Sequence, residues 1–228
     1  MSPPKRSFKW YWSWWRSAVG KIADKLRGLI YGILVLLASL VIYPLFRLRV
    51  RGRKHLRGGG ILVARHRSYW DIPVVCVACG PFHRVHFIAR RGLTRNPIFA
   101  PFVLGFATVI DRDRFGPDDF KKMLRAARRY KLLGIFPEGT TRPGAEPKTG
   151  AVRLAEMFKK PLVPVNIVPQ GPYPPRRFPP RFPKITVYIG KPFQVEELTK
   201  GLPPELSKPE RYRHMASRLI EMIDGTVV

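Results

Sequence analysis

The sequence predicts a single α/β domain with a mostly parallel mixed sheet flanked by helices, preceded by a membrane-embedded two-helix segment. Short apolar runs alternate with helix-like stretches through most of the chain. A stretch of about 19 uncharged residues, 28–46, lies near the start. The 228 residues suffice for one domain with a sizeable core. We therefore divide the chain into a membrane-anchoring part, residues 1–50, and an α/β domain, residues 51–228.

The uncharged stretch 28–46 is close to the length that spans a bilayer. Four of the five tryptophans precede it, and Trp is enriched where headgroups meet hydrocarbon. Basic residues flank it on both sides, whereas a spanning helix shows charge asymmetry. An amphipathic helix followed by an apolar helix, both dipping into one leaflet, would place both basic flanks against anionic headgroups. We expect attachment to the cytoplasmic face of a membrane; a spanning helix, a signal peptide and a buried core helix are the alternatives.

The rest of the chain reads as strands punctuated by helices. Six apolar runs predict strands: 61–64, 85–89, 107–110, 132–136, 162–167 and 185–189. Four stretches predict helices: 71–79, 97–104, 117–130 and 150–159. Ser207-x-x-Glu210 predicts the start of a last helix, with an apolar stripe of Met215, Leu219, Met222 and Ile223. In a mostly parallel sheet, sites form at the carboxyl ends of the strands, so residues that follow strands are candidates.

The composition is strongly basic, with a net charge of +27. Such a surface attracts a polyanion, either nucleic acid, an anionic membrane or a phosphorylated substrate. We recognise no nucleic-acid-binding motif, so we favour the membrane and expect no nucleic acid partner.

Two cysteines are too few for a disulfide framework, which favours a reducing compartment. Cys76 and Cys79 precede His83 and His86 at a spacing that suggests zinc. A structural zinc site usually takes its ligand pairs from two separate turns, and here the pairs are three residues apart. Buried helix cysteines are the favoured interpretation, and we expect no metal.

His66 and Asp71 lie five positions apart, just after the strand predicted at 61–64. A neutral imidazole can deprotonate an alcohol near pH 7, and a carboxylate can orient the ring and stabilise the imidazolium. We assign His66 as general base and Asp71 as its partner. Ser68 is either a nucleophile or a helix cap, since Ser68-x-x-Asp71 also has the spacing of a capping box. The cap is favoured.

Three further blocks follow the histidine block: Val-Ile-Asp-Arg at 109–112, Phe-Pro-Glu-Gly-Thr-Thr-Arg at 136–142 and Leu-Val-Pro-Val at 162–165. Together the four blocks resemble the PlsC-type glycerolipid acyltransferases, the family of 1-acyl-glycerol-3-phosphate acyltransferase. The resemblance runs from about Gly52 to Lys191. It implies transfer of a fatty acyl group from acyl-CoA or acyl-carrier protein, as donor substrate, to lysophosphatidate without a cofactor. Glycerol-3-phosphate, another lysolipid acceptor and a non-enzymatic basic protein are the alternatives.

A phosphate-bearing acceptor requires fixed cations, hydroxyls or amides. Residues after predicted strands that offer them are Arg90, Arg112, Gly139, Thr140, Thr141 and Arg142. Glu138 either hydrogen bonds glycerol hydroxyls or caps its own turn. The chain departs from the family pattern in three places: Thr141 stands where Arg is common, Arg65 where Asn is common, and Arg90 where Lys is common.

Overall fold

Seven strands and six α-helices make up the part of the chain that the structure describes, in this computed structural model. The described residues are 7–95, 97, 100–111, 114–175 and 182–227. The strands are β1 (Arg49–Arg51), β2 (Gly60–Ala64), β3 (Val85–Arg90), β4 (Ala107–Ile110), β5 (Leu132–Ile135), β6 (Leu162–Gln170) and β7 (Lys184–Ile189). The helices are α1 (Ser7–Phe46), α2 (Asp71–Cys79), α3 (Ala100–Phe106), α4 (Pro117–Arg129), α5 (Gly150–Phe158) and α6 (Lys208–Asp224).

The strands form one sheet in the order β1-β7-β6-β2-β5-β3-β4. Every neighbouring pair is parallel except β6 and β7, which are antiparallel. The mostly parallel mixed sheet and all six predicted strands are therefore confirmed. The sequence prediction missed β1, because its three residues Arg-Val-Arg include a single apolar side chain.

Helices cover both faces of the sheet, which explains why its central strands are apolar on both sides. One core lies between the sheet and helices α1 to α3, with Val74, Val75 and Phe106 among its members. The other lies under helices α4 to α6 and includes Ala127 and Leu154. The predicted helices are confirmed, although α3 begins at Ala100 and runs directly into β4.

A single helix, α1, stands where the sequence prediction placed two. No proline interrupts the chain between Pro4 and Pro44, and an isolated glycine costs a helix only about 1 kcal/mol, so the backbone continues unbroken. One stripe of α1 is buried against the domain: Tyr31, Val35, Ile42 and Phe46. Most of its other apolar side chains are exposed, including Leu36, Leu37 and Leu40.

The last helix, α6, begins as predicted. The Ser207 N–H donates to the Glu210 carboxylate at 3.0 Å, and the reciprocal side-chain contact completes a capping box. Met215, Leu219 and Ile223 are fully buried. Met222, which was also expected on this stripe, is 37% exposed, because its direction around the helix axis places it at the edge of the buried stripe.

Candidate active site

The side chains that could take part in chemistry lie at the carboxyl ends of three neighbouring parallel strands. His66 follows β2, Arg90 ends β3, and Glu138 follows β5. These strands are adjacent and parallel, in the order β2-β5-β3. Their carboxyl ends therefore form one edge of the sheet, where sites of open α/β folds are found.

His66 and Asp71 are in contact, as the sequence predicts. Nδ1 of His66 lies 3.1 Å from Oδ2 of Asp71. The same oxygen accepts the backbone N–H groups of Arg67 at 2.6 Å and Ser68 at 2.7 Å. The Asp71 side chain is 1% exposed, so its position is set by these bonds rather than by water. A hydrogen bond at Nδ1 leaves Nε2 of the ring for chemistry.

Ser68 lies in the turn that precedes α2. Its hydroxyl accepts the N–H of Trp70 at 3.1 Å, and its own N–H donates to Asp71. Half of a capping box is therefore present, with Asp71 serving both the turn and the histidine. The side chain is buried and makes a local structural contact.

Tyr173 binds the second oxygen of Asp71. Its hydroxyl donates to Oδ1 at 2.6 Å across 102 positions of sequence. Burial, followed by the nearby charge of Asp71, raises the pKa of Tyr173 well above its ordinary value, so the phenol stays a donor. No sequence pattern indicates this contact, because Tyr173 lies in a proline-rich loop far from the histidine block.

An aromatic ring packs against one face of the His66 imidazole. Phe136, directly after β5, stacks on His66 with ring centroids 4.5 Å apart and an interplanar angle of 26°. Phe136 stacks in turn on Phe87 of β3. Within the described residues Nε2 of His66 has no hydrogen-bond partner, and the His66 side chain is 11% exposed. His66 borders a cavity through which a reactant can reach it.

Glu138 is buried and is bonded to the histidine loop. Its Oε2 accepts the backbone N–H of His66 at 2.8 Å, and its Oε1 accepts Nε and Nη2 of Arg65 at 3.0 and 2.7 Å. The structure thus places Glu138 where it holds the backbone of His66, a role that the sequence analysis did not consider. The predicted contact between Glu138 and the glycerol hydroxyls of a substrate stays a prediction.

Asp224, at the end of α6, connects the two arginines that flank His66. Its Oδ2 accepts Nη1 of Arg65 at 2.7 Å, and its Oδ1 accepts Nη2 of Arg67 at 3.2 Å. Asn166 of β6 anchors the helix end by donating to the Asp224 carbonyl at 2.8 Å. Sequence reasoning missed Asp224, since it lies more than 150 positions away and belongs to no recognised block.

The cavity beside His66, here called the catalytic cavity, has a volume of about 440 Å³. Its interior is largely apolar and is lined by residues of β3, α3, β5 and the region around the start of α4. The apolar lining includes Phe87, Phe102, Val103, Phe115, Phe120 and Met123. A cavity of this size and character suits a hydrocarbon chain.

Four of the predicted phosphate-binding residues line the catalytic cavity: Arg90, Gly139, Thr140 and Thr141. Lys148 and Arg153 line it too, and both are exposed cations that the sequence analysis did not single out. Arg142 is not among the lining residues; its N–H donates to the Thr140 hydroxyl at 3.3 Å. Arg112 lies outside the described residues.

The cysteine and histidine pairs have other partners. Cys76 and Cys79 are buried, and burial raises the pKa of Cys76 to about 12. His83 Nδ1 lies 3.0 Å from the Cys79 carbonyl oxygen, and His86 Nε2 lies 2.9 Å from the Thr108 hydroxyl. Among the described residues no group of three or more His, Cys, Asp or Glu side chains is arranged to hold a metal ion.

Comparison with protein families gives a match to the family described as Acyltransferase, over residues 47–168. A relative in Bacillus subtilis (strain 168), a 1-acyl-sn-glycerol-3-phosphate acyltransferase, is 32% identical over 116 residues, which are 50% of this chain and 57% of that protein. A protein of the same name in Streptococcus pneumoniae is 32% identical over 108 residues, 46% of this chain and 40% of that protein. The chain thus spans about half the length of these relatives.

Among solved structures, the fold matches the 1-acyl-sn-glycerophosphate (LPA) acyltransferase PlsC from Thermotoga maritima. The TM-score is 0.52 at 19% sequence identity, and the alignment covers 91% of this chain and 94% of that chain. At 19% sequence identity, this structural similarity supports the assignment of the fold alone.

Proposed function

Because the chain belongs to the acyltransferase family, whose model matches more than half of it, we propose that it is a lysophosphatidate acyltransferase. It would transfer a fatty acyl group from a thioester, acyl-CoA or acyl-carrier protein, to the free hydroxyl of lysophosphatidate and so form phosphatidate. The observation that carries this proposal is the contact between His66 and Asp71 beside the catalytic cavity. The two relatives bear the name of this activity.

The reaction needs one general base. Nε2 of His66 takes the proton of the acceptor hydroxyl while its oxygen attacks the thioester carbonyl carbon. The new C–O bond forms a tetrahedral oxyanion, whose collapse breaks the C–S bond. The proton on the imidazolium then passes to the leaving thiolate. Asp71 holds the Nδ1 side of the ring and stabilises its positive charge during this sequence.

The cavity lining suits both parts of the substrates. The apolar interior, with Phe102, Val103 and Met123, would hold an acyl chain away from water. Arg90, Lys148 and Arg153 would bind the acceptor phosphate, because a phosphate monoester carries close to two negative charges at neutral pH. Arg112 stays a predicted contributor on the strength of its block alone.

We infer that α1 attaches the protein to a membrane. By length and composition Ile22–Phe46 could cross a bilayer, and only 22% of its most apolar window is buried, unlike the core helix of a soluble protein. The stripe from Tyr31 to Phe46 packs against the domain along about 24 Å of helix. A helix held in this way cannot cross the bilayer without taking the domain into the hydrocarbon. This favours a helix lying in one leaflet. We place it on the cytoplasmic face because the anionic lipids of that leaflet would attract a chain with a net charge of +27.

The proposed activity is tested with the purified full chain in anionic vesicles. Labelled acyl-CoA and acyl-carrier protein are offered with lysophosphatidate, glycerol-3-phosphate or lysophosphatidylcholine. We expect transfer to lysophosphatidate, and a loss of about 100-fold or more in His66→Ala. Asp71→Asn should lose activity too, whereas the control His214→Ala, an exposed residue of α6, should not.

The other results separate the alternatives. If the acyl group is transferred only to another acceptor, the proposed mechanism stands and that acceptor replaces lysophosphatidate as the proposed substrate. No transfer to any acceptor, by protein shown to be folded, would reject the enzyme.

A further inference from the structure

A second cavity, of about 520 Å³, lies at the opposite edge of the sheet from His66. We call it the amino-edge cavity, because Arg57, Arg84 and Lys131, which line it, precede β2, β3 and β5. The five residues of β2 separate it from the histidine loop by about 16 Å. It therefore belongs to a different site from the one described above.

The lining of the amino-edge cavity has a large excess of positive charge. Arg57, Arg84, Arg129 and Lys131 line it, with Asp24 of α1 as the single acidic residue. Asp24 accepts two hydrogen bonds from Arg84, at 2.9 and 3.1 Å, and lies 3.8 Å from Arg129. Within the described part of the chain, Arg57 and Lys131 form no ion pair. Their charges are available to an anion.

Apolar groups border the same cavity on the side of α1. Phe82 lines it and is 94% exposed, although phenyl rings are rarely left in water. Ile22 and Leu26, close to Asp24 on α1, are also exposed. The charged residues Asp24, Lys25 and Arg27 stand where the apolar part of α1 begins, so charged and apolar groups meet beside the cavity, as they do in a phospholipid.

We propose that the amino-edge cavity binds the phosphate of an anionic membrane phospholipid, with the acyl chains beside Phe82 and the exposed face of α1. Arg57 and Lys131 contact the phosphate directly. This rests on the part of the proposed function that places α1 in a membrane. Because the cavity is remote from His66, lipid bound there is neither donor nor acceptor; it holds the domain at the membrane surface.

The test uses the full chain in neutral detergent micelles, titrated by calorimetry with short-chain phosphatidylglycerol, phosphatidylcholine or inorganic phosphate. We expect saturable binding of phosphatidylglycerol, weakened about tenfold to thirtyfold by the double substitution Arg57→Gln and Lys131→Gln. The matched control is Lys208→Gln with Arg211→Gln, an equal change of charge on α6, and it should bind as the wild type does. Thermal unfolding confirms that each variant is folded.

Two more variants make the result specific. Phe82→Ser should weaken binding of phosphatidylglycerol and leave that of inorganic phosphate unchanged. His66→Ala should bind phosphatidylglycerol normally, so that failure of the enzyme proposal and failure of this one are distinguishable. Equal loss in the two double variants, equal binding of phosphatidylcholine, or inorganic phosphate bound as tightly as the lipid would each overturn the proposal.

Discussion

At the scale of single residues, His66, the proposed base, is fixed from four directions. Asp71 holds one edge of the His66 ring, Phe136 covers a face, and Glu138 binds the backbone N–H. On the far side, Asp224 joins the arginines that flank the histidine. Arg65 pairs with Glu138 and Asp224, so the positive charge that this departure from the family pattern introduces is matched by nearby carboxylates.

Asp224→Asn should reduce activity, because it leaves Arg65 and Arg67 without their shared carboxylate while preserving side-chain size. We expect kcat/KM to fall about tenfold, or about 1.4 kcal/mol, with partial recovery in Asp224→Glu. The steady-state rate is measured beside Asp118→Asn, an exposed i,i+3 partner of Lys121 on α4. A similar loss in both variants would mean that Asp224 has no special role.

At the scale of secondary-structure elements, the close approach of β3 and β5 determines how the aromatic rings beside His66 stack. A Cβ at Gly134 of β5 would lie 2.6 Å from two ring carbons of Phe87. Phe87 stacks on Phe136, which stacks on His66. The glycine in β5 thus allows a continuous row of stacked rings from Phe87 in the sheet to His66.

Gly134→Ala should push the Phe87 ring out of place and disturb that row. We expect the free energy of unfolding to fall by about 1–3 kcal/mol, with reduced acyl transfer at temperatures where the protein stays folded. Chemical unfolding and the transfer assay measure the two effects. Gly58→Ala, with nothing within 4 Å of its Cβ, is the control. Unchanged activity in folded Gly134→Ala would show that the stack does not serve the base.

At the scale of the whole molecule, the two edges of the sheet carry different groups. The carboxyl edge carries His66, the proposed base, and the amino edge carries the excess of cations. His86 lies between these edges on β3, stacked on Tyr130 at a centroid distance of 3.6 Å. Burial, then the charges of Arg84, Arg129 and Arg27, lowers its pKa to about 4.

This shift makes stability depend on pH. His86 is neutral in the folded protein, while in the unfolded chain it binds a proton near its ordinary pKa of about 6.5. Its contribution is present above about pH 6.5 and is lost as the pH falls toward 4, by on the order of 2–3 kcal/mol. Urea unfolding at pH 7.5 and 4.5 should show a smaller difference for His86→Phe than for wild type. His214→Phe, at an exposed position, should keep the full difference.

The sequence predicted those features that depend on residues close together in the chain. Apolar runs predicted six of seven strands, and the five-residue spacing predicted the contact between His66 and Asp71. Tyr173, Asp224 and Lys148 could not be predicted, because each reaches the site through tertiary packing and none has a characteristic spacing from His66. The N-terminal segment was predicted as two helices because basic residues flank the apolar stretch on both sides. No proline lies between Pro4 and Pro44, however, and the backbone continues as one helix from Ser7 to Phe46.

The end of α1 has a practical consequence for preparing the protein. Phe46 packs against Trp70, Tyr173 and Phe182, and Tyr173 binds Asp71. Cutting the chain after Phe46 to obtain a soluble fragment would remove a wall of the pocket that holds this tyrosine. Replacing outward-facing leucines such as Leu36, Leu37 and Leu40 by polar residues would keep that wall. A detergent-free form of the protein is therefore better made by resurfacing the helix than by deleting it.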